Sequence, residues 1–138
     1  MKEIDGLEAT RGCLCLKARK TARSLTRLYE EHLRPHGLRA TQFSILAALA
    51  SKGPTRIGVL ADMLALERTT LTRSAALLAR RGWTATGRSR DGRERMLSVT
   101  DAGLSKLESA LPAWNRAQEL AGRQLAAPDV LTRDSIVT

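Results

Sequence analysis

The stretch from Ile57 to Thr100 constrains this chain more than any other. Apolar residues at Ile57, Leu60, Ala61 and Leu64 mark a short amphipathic helix, and a turn over Ala65 to Glu67 separates it from a second helix running from Arg68 to Arg81, capped by Gly82. Leu71, Ala75 and Leu78 share one face of that second helix. Thr69, Thr72, Arg73, Ala76 and Arg80 recur at helical spacing on another. Two helices joined by so short a turn, the second presenting threonine and arginine on its free face, form the pattern of a helix-turn-helix. Trp83 to Arg88 then alternates as a strand, 88–95 is a charged turn with Gly92 near its tip, and Met96 to Thr100 alternates again, which reads as a β-hairpin.

Helices flank this unit on both sides. Between Cys13 and Arg34 the residues Leu14, Ala18, Ala22, Leu25, Leu28 and Leu33 make one apolar stripe, ended by Pro35 and Gly37. Thr41 is the expected N-cap of a second helix carrying Phe43, Ile45, Leu46, Leu49 and Ala50, stopped by Gly53-Pro54. Being apolar nearly all round, it should be central. Thr100 and Asp101 open a long helix to about Leu125, with Leu104, Leu107, Leu111, Trp114, Ala117, Leu120 and Ala121 as its stripe. Pro112 should kink or break it, and Ala127-Pro128-Asp129 starts a short last helix. The fold class is therefore mainly α with a small β-hairpin wing, in one protomer over 1–138. The long stripes exceed what one small domain covers, so a homodimer is expected, with 13–35 and 101–138 as dimerisation helices around a DNA-binding region at 41–100.

Charge points to the partner. The 138 residues hold 23 Lys and Arg against 14 Asp and Glu, a net charge of +9, and 18 of the 23 are arginine. Residues 52–95 carry 10 basic and 4 acidic side chains, whereas 96–138 carry 4 and 5. A polyanion should thus meet the middle third. Only Tyr29, Phe43, Trp83 and Trp114 are aromatic, too few to stack splayed single-stranded bases, which favours double-stranded DNA. The longest uncharged runs fall short of the roughly 18 apolar residues of a membrane span. The start lacks a signal-peptide pattern, so a cytoplasmic, nucleoid-associated protein with reduced cysteines and no membrane partner is expected.

Three blocks in order, Leu33 to Leu49, Ile57 to Trp83 and Arg90 to Gly103, resemble the MarR family of bacterial winged helix-turn-helix transcriptional regulators over about residues 13 to 126. The last block, RDGRERMLSVTDAG, is the most specific: it matches the family's Asp-x-Arg, apolar strand, then Leu or Val before Thr-x-x-Gly. The resemblance implies a homodimer that sets one recognition helix per protomer in successive major grooves of a pseudo-palindromic operator, with wings in flanking minor grooves. Arg68, Thr69, Thr70, Thr72 and Arg73 then inherit base and phosphate contacts. On the wing, Arg88, Arg90, Arg93 and Arg95 reach the DNA, and Asp91 corresponds to the acid that steadies Arg93. The resemblance also implies a small aromatic or phenolic effector in a crevice whose candidates are Arg11, Arg23, His36, Phe43 and Trp114. A peroxide-sensing subgroup carries a reactive cysteine that falls on Cys15, and Tyr29 falls on one of its tyrosines. Arg19 and Ala40 stand where two further tyrosines are expected.

Each signal has a plainer reading. Arg73 on a free helix face reaches guanine O6 and N7 or a phosphate, or is merely solvated. Arg80 and Arg81 suit the helix dipole as well as a phosphate. Cys13 and Cys15 act as sensors or as small packed residues, and Arg19 and the helix N-terminus would lower a thiol pKa there. With His32 and His36 they suggest a ligand set, but 17 residues of helix, about 25 Å, separate Cys15 from His32. No metal and no cofactor is expected. Nucleophile-base pairs, glycine-rich phosphate loops and purposeful carboxylate pairs are all missing, so no enzyme is expected. A sequence-specific regulator, most simply a repressor, is favoured over a sequence-tolerant architectural DNA binder and over a ligand-binding or protein-interaction module.

Overall fold

A computed structural model of the chain describes residues 1–126. The short helix expected from Ala127 and the end of the dimerising segment lie outside the described residues. After a 3-10 turn at Leu7–Gly12, the order is α1 (Leu14–Leu33), a second 3-10 turn (Arg34–His36), α2 (Ala40–Lys52), β1 (Thr55–Arg56), α3 (Ile57–Met63), α4 (Arg68–Arg80), β2 (Thr84–Arg88), β3 (Arg95–Val99) and α5 (Asp101–Ala126).

The helix-turn-helix and hairpin form where the sequence placed them. Ala65 takes a positive φ of 52° between α3 and α4, and Gly82, at φ 76°, ends α4 as expected of a left-handed cap. The hairpin registers Thr84 with Val99 and Arg88 with Arg95. Its sheet has a third member: β1 pairs antiparallel with β3, Thr55 opposite Leu97, giving the order β1-β3-β2.

Three expectations are corrected. Helix α2 starts at Ala40 rather than after Thr41, because the Gln42 side chain reaches back to accept the Arg39 N–H at 3.0 Å. Helix α5 runs unbroken past Pro112. Glu108, whose carbonyl loses its helical donor there, is exposed to water. The buried stripe of α5 consists of Gly103, Ala110, Ala113, Ala117 and Ala121, while Leu104, Leu111 and Leu120 remain 42%, 42% and 38% exposed. Small residues let α5 approach α1 and α2 closely, and the leucines are left outside that contact.

The core lies beneath α4 and the sheet. Leu33, Ile45, Leu46, Leu49, Leu60, Leu71, Leu78 and Leu97 are fully buried, each contributing about 1.5–3 kcal/mol relative to exposure. As expected for a helix apolar nearly all round, α2 is central, packed on α1, α4, α5 and β3. This core fixes one face of α4 and turns the other outward.

Candidate nucleic-acid interface

Leu71, Ala75 and Leu78 anchor α4 from below, so helical geometry sends Arg68, Thr69, Thr70, Thr72 and Arg73 to the surface; all five are exposed. They occupy the first turn and a half of the helix, the end that enters a groove when a helix-turn-helix docks. The polar face read from the sequence is the free face of the structure.

The wing is built by its turn. Asp91 accepts a hydrogen bond from the Ser89 hydroxyl at 2.6 Å and another from the Arg93 backbone N–H at 3.1 Å. Gly92 takes the left-handed φ of 72° that lets the chain reverse between them. The Ser89 hydroxyl, followed by the Arg93 N–H, holds the Asp91 carboxyl below its ordinary value. Asp91 therefore steadies Arg93 through the main chain of the turn. The turn closes with Ser89 N–H donating to the Glu94 carbonyl at 2.9 Å, and the Glu94 N–H donating to Ser89 Oγ at 3.2 Å. Arg88, Arg90, Arg93 and Arg95 are all exposed around it.

Recognition helix and wing share one cleft. A concavity of about 490 Å³ is bounded by β1, α3, α4 and the wing, and among its lining residues Arg68 and Thr72 come from α4 while Arg93 and Arg95 come from the wing. Three further residues there, Arg56, Asp62 and Glu94, carry charges that sequence reasoning missed. Arg56 of β1 pairs with Glu94 across 2.5 Å. The strand that carries Arg56 is only two residues long, so no alternation could announce it. Gly58 permits the Arg68 guanidinium to lie against α3; a Cβ there would overlap its Nη2 and stand 3.0 Å from its Cζ.

Behind the interface, the α4 terminus is tied down. Arg81 donates to the Gly37 carbonyl at 2.9 Å and lies over the Trp83 ring at 5.1 Å. Lys106 of α5 also lies 5.2 Å from that ring. Arg81 is thus a structural tie between α4 and the corner joining α1 to α2, and Trp83 is its platform.

The remaining candidates are dispersed. Phe43 and Trp114 come together as a stack, 5.6 Å between centroids and 10° between planes, with Tyr29 tilted against Trp114 at 6.2 Å. His36 is half-buried at the end of the second 3-10 turn, and Arg11 and Arg23 are exposed on the N-terminal segment. Cys13 is the N-cap of α1 and Cys15 lies in its first turn, both exposed, with Arg19 Nη2 at 3.8 Å from Cys15 Sγ. Tyr29 is fourteen residues further along the same helix, about 21 Å away, and its hydroxyl donates to Gln118 of α5. Within one chain Tyr29 does not meet Cys15.

Known proteins share this arrangement. A sequence model of the MarR family matches residues 36–94, the span from the second 3-10 turn to the wing. A Bacillus subtilis protein described as the uncharacterized HTH-type transcriptional regulator YwoH is 30% identical over 89 residues, 64% of this chain; the match spans 65% of that protein's length. The Mycobacterium tuberculosis transcriptional regulator MosR, solved in complex with DNA, is 34% identical, with 84% of each chain covered and a TM-score of 0.73. The reduced form of AbfR bound to DNA is 26% identical over 75% of each chain, with a TM-score of 0.67.

Proposed function

The chain belongs to the MarR family of transcriptional regulators, and from that premise we propose that it represses transcription by binding a pseudo-palindromic DNA operator as a homodimer. The observation that carries this reading is the shared cleft: exposed α4 residues and wing arginines converge on one basic surface. Thr69, Thr70, Thr72 and Arg73 address base edges and phosphates in the major groove, and Arg93, with Arg90 beside it, probes a flanking minor groove, where a narrow A·T tract attracts arginine. MosR and AbfR, both solved on DNA, support the same docking.

The dimer rests on apolar surface left uncovered in the single chain. Leu7, Leu14 and Leu16 near the start, and Leu111, Leu120 and Leu125 on α5, are all at least 38% exposed. A second copy covering both ends of the chain buries them.

For the releasing signal, the thiols carry more than the crevice residues. Cys13 and Cys15 are open to solvent, and the Arg19 guanidinium lies beside the Cys15 sulfur, 3.8 Å away. AbfR was solved in a form named as reduced. Phe43, Trp114 and Tyr29 pack on one another instead, so a small aromatic effector would enter by displacing part of that stack.

The test is footprinting on DNA flanking the gene. Discrete protection of a near-palindrome of about 16–20 base pairs is expected for two half-sites one helical turn apart. Uniform protection of every fragment would replace the regulator with the architectural binder, and no shift at low salt would remove DNA from the reading.

A further inference from the structure

The cleft between α4 and the wing holds an acid that a surface built only to grip DNA would omit. Its charged lining is Arg56, Arg68, Arg93 and Arg95 against Asp62 and Glu94. The backbone that carries Glu94 is held in place. Its own N–H is held by Ser89 Oγ and its carbonyl by the Ser89 N–H, so the closure of the wing turn fixes the backbone that delivers its carboxylate to Arg56. Arg56 is fixed from the other side, since it belongs to β1 and is registered opposite Met96 of β3, two residues beyond Glu94.

We propose that Glu94 is an affinity-setting residue: by pairing with Arg56 it withholds one cation per protomer from the DNA backbone, and so limits sequence-independent binding. This rests on the DNA-binding reading of the same cleft. Both side chains of the pair are about half exposed, at 55% and 51%, and such a pair contributes little to folding. Its weight falls on binding instead. A cation that neutralises a phosphate releases condensed counterions, and each such contact adds about −0.9 to the slope of log affinity on log salt. An arginine already balanced by a carboxylate in the same cleft releases fewer. A phosphate that reaches Arg56 must also approach the Glu94 charge, which repels it. The effect involves no base edge, so it falls equally on operator and random DNA.

The experiment uses the full chain and a labelled mixed-sequence duplex, with binding followed by fluorescence anisotropy across a salt series. Glu94→Gln keeps the size and a hydrogen-bonding oxygen while removing the charge. The slope is expected to steepen by about 0.9 per protomer, which amounts to about fivefold tighter binding per protomer near 0.15 M salt. Arg56→Gln alone should change the slope little, while adding it to Glu94→Gln should return the parent slope; that return separates a freed arginine from a merely less acidic surface. An unchanged slope in Glu94→Gln, or weaker binding because the wing has loosened, overturns the proposal while the parent still binds. A parent that binds no duplex at any salt overturns the DNA reading itself, and this proposal with it.

Discussion

Replacing Gly103 by alanine sets two physical effects against each other inside α5. Helix propensity favours the change, since alanine is better than glycine in a helix interior by about 0.8–1 kcal/mol. Packing opposes it. A Cβ on Gly103 would overlap the Trp83 carbonyl oxygen and approach Val99 Cγ2 to 2.7 Å and the Trp83 carbonyl carbon to 3.0 Å. Carbon atoms in contact prefer about 3.5–4 Å, so relief demands a shift of roughly 1 Å. The first turn of α5 is not free to give it. Thr100 donates its N–H to the Trp83 carbonyl at 3.1 Å and its hydroxyl to the Gly82 carbonyl at 2.6 Å, and its oxygen accepts the Gly103 N–H at 3.1 Å.

Either the overlap is kept, at about 1–3 kcal/mol for overpacking, or one or two of those hydrogen bonds are lost, at about 0.5–1.5 kcal/mol each. The upper end of either route outweighs the propensity gain, so Gly103→Ala should destabilise by up to about 2 kcal/mol on balance. For a chain this size that lowers Tm by up to roughly 8 °C. Gly122, in the same helix, meets nothing within 4 Å among the described residues, so Gly122→Ala should raise Tm by a few degrees through propensity alone. Thermal melts followed by circular dichroism at one protein concentration decide the matter. A Gly103→Ala protein as stable as the parent would show that the approach of α5 to the β2 edge is not tight, and the reasoning would fall.

Other outcomes follow from the same contacts. If each protomer neutralises three to five phosphates, the salt slope of parent binding should be on the order of −5 to −9; a slope near zero would deny phosphate contact. Arg73→Ala should cost roughly 1–3 kcal/mol and relax specificity at one position per half-site, whereas Arg93→Ala should mainly weaken binding to A·T-flanked sites; parental footprints from both would misplace the DNA face. The Asp91 carboxyl lies below its ordinary 3.8, so its support of the wing turn is complete above that value and is lost as pH falls through the lowered folded value. Protection of the Arg93 amide, its exchange relative to the intrinsic rate at each pH, should therefore persist at neutral pH and be lost only in acid, and Asp91→Asn should abolish that pH step. A Cys15→Ser protein should keep its operator binding after stoichiometric organic hydroperoxide while the parent loses it reversibly; equal binding in all samples would return the cysteines to a passive role.

Much of this molecule was legible because its signals are local. A left-handed glycine at Gly82, another at Gly92 and the alternation on either side of the wing are decided within a few residues, and the structure places α3, α4, β2 and β3 where those signals put them. What was not legible depends on partners distant in sequence. The two residues of β1 form a strand only because β3 offers an open edge, and Arg56 comes to line the cleft through that pairing. The N-cap of α2 is Arg39 instead of Thr41, and the side chain that accepts its N–H belongs to Gln42, three residues further on. The pairing of Asp91 with Arg93 was legible in its residues, while the contact itself, a carboxylate accepting the Arg93 backbone N–H within the turn, was not.

Helix α5 carries the most general lesson, because there the hydrophobic rule found only part of the buried face. Of the stripe read from the sequence, Ala117 and Ala121 are buried and Leu107 and Trp114 pack partly against the core, yet Leu104, Leu111 and Leu120 stay outside while Gly103, Ala110 and Ala113 are buried instead. Transfer free energy grows with side-chain area, so leucine gains more from burial than alanine wherever both fit. They do not both fit when helices approach closely, and α5 is held close at its start by Thr100 and Gly103 and along its length by α1 and α2. Space then decides in place of hydrophobicity. By helical geometry Leu104, Leu111 and Leu125 follow one flank of the alanine stripe and Leu120 the other, so the excess apolar area anticipated from the sequence is present on surfaces that remain exposed among the described residues. The quantity of apolar surface was readable from composition and period; its placement required knowing which helix comes near.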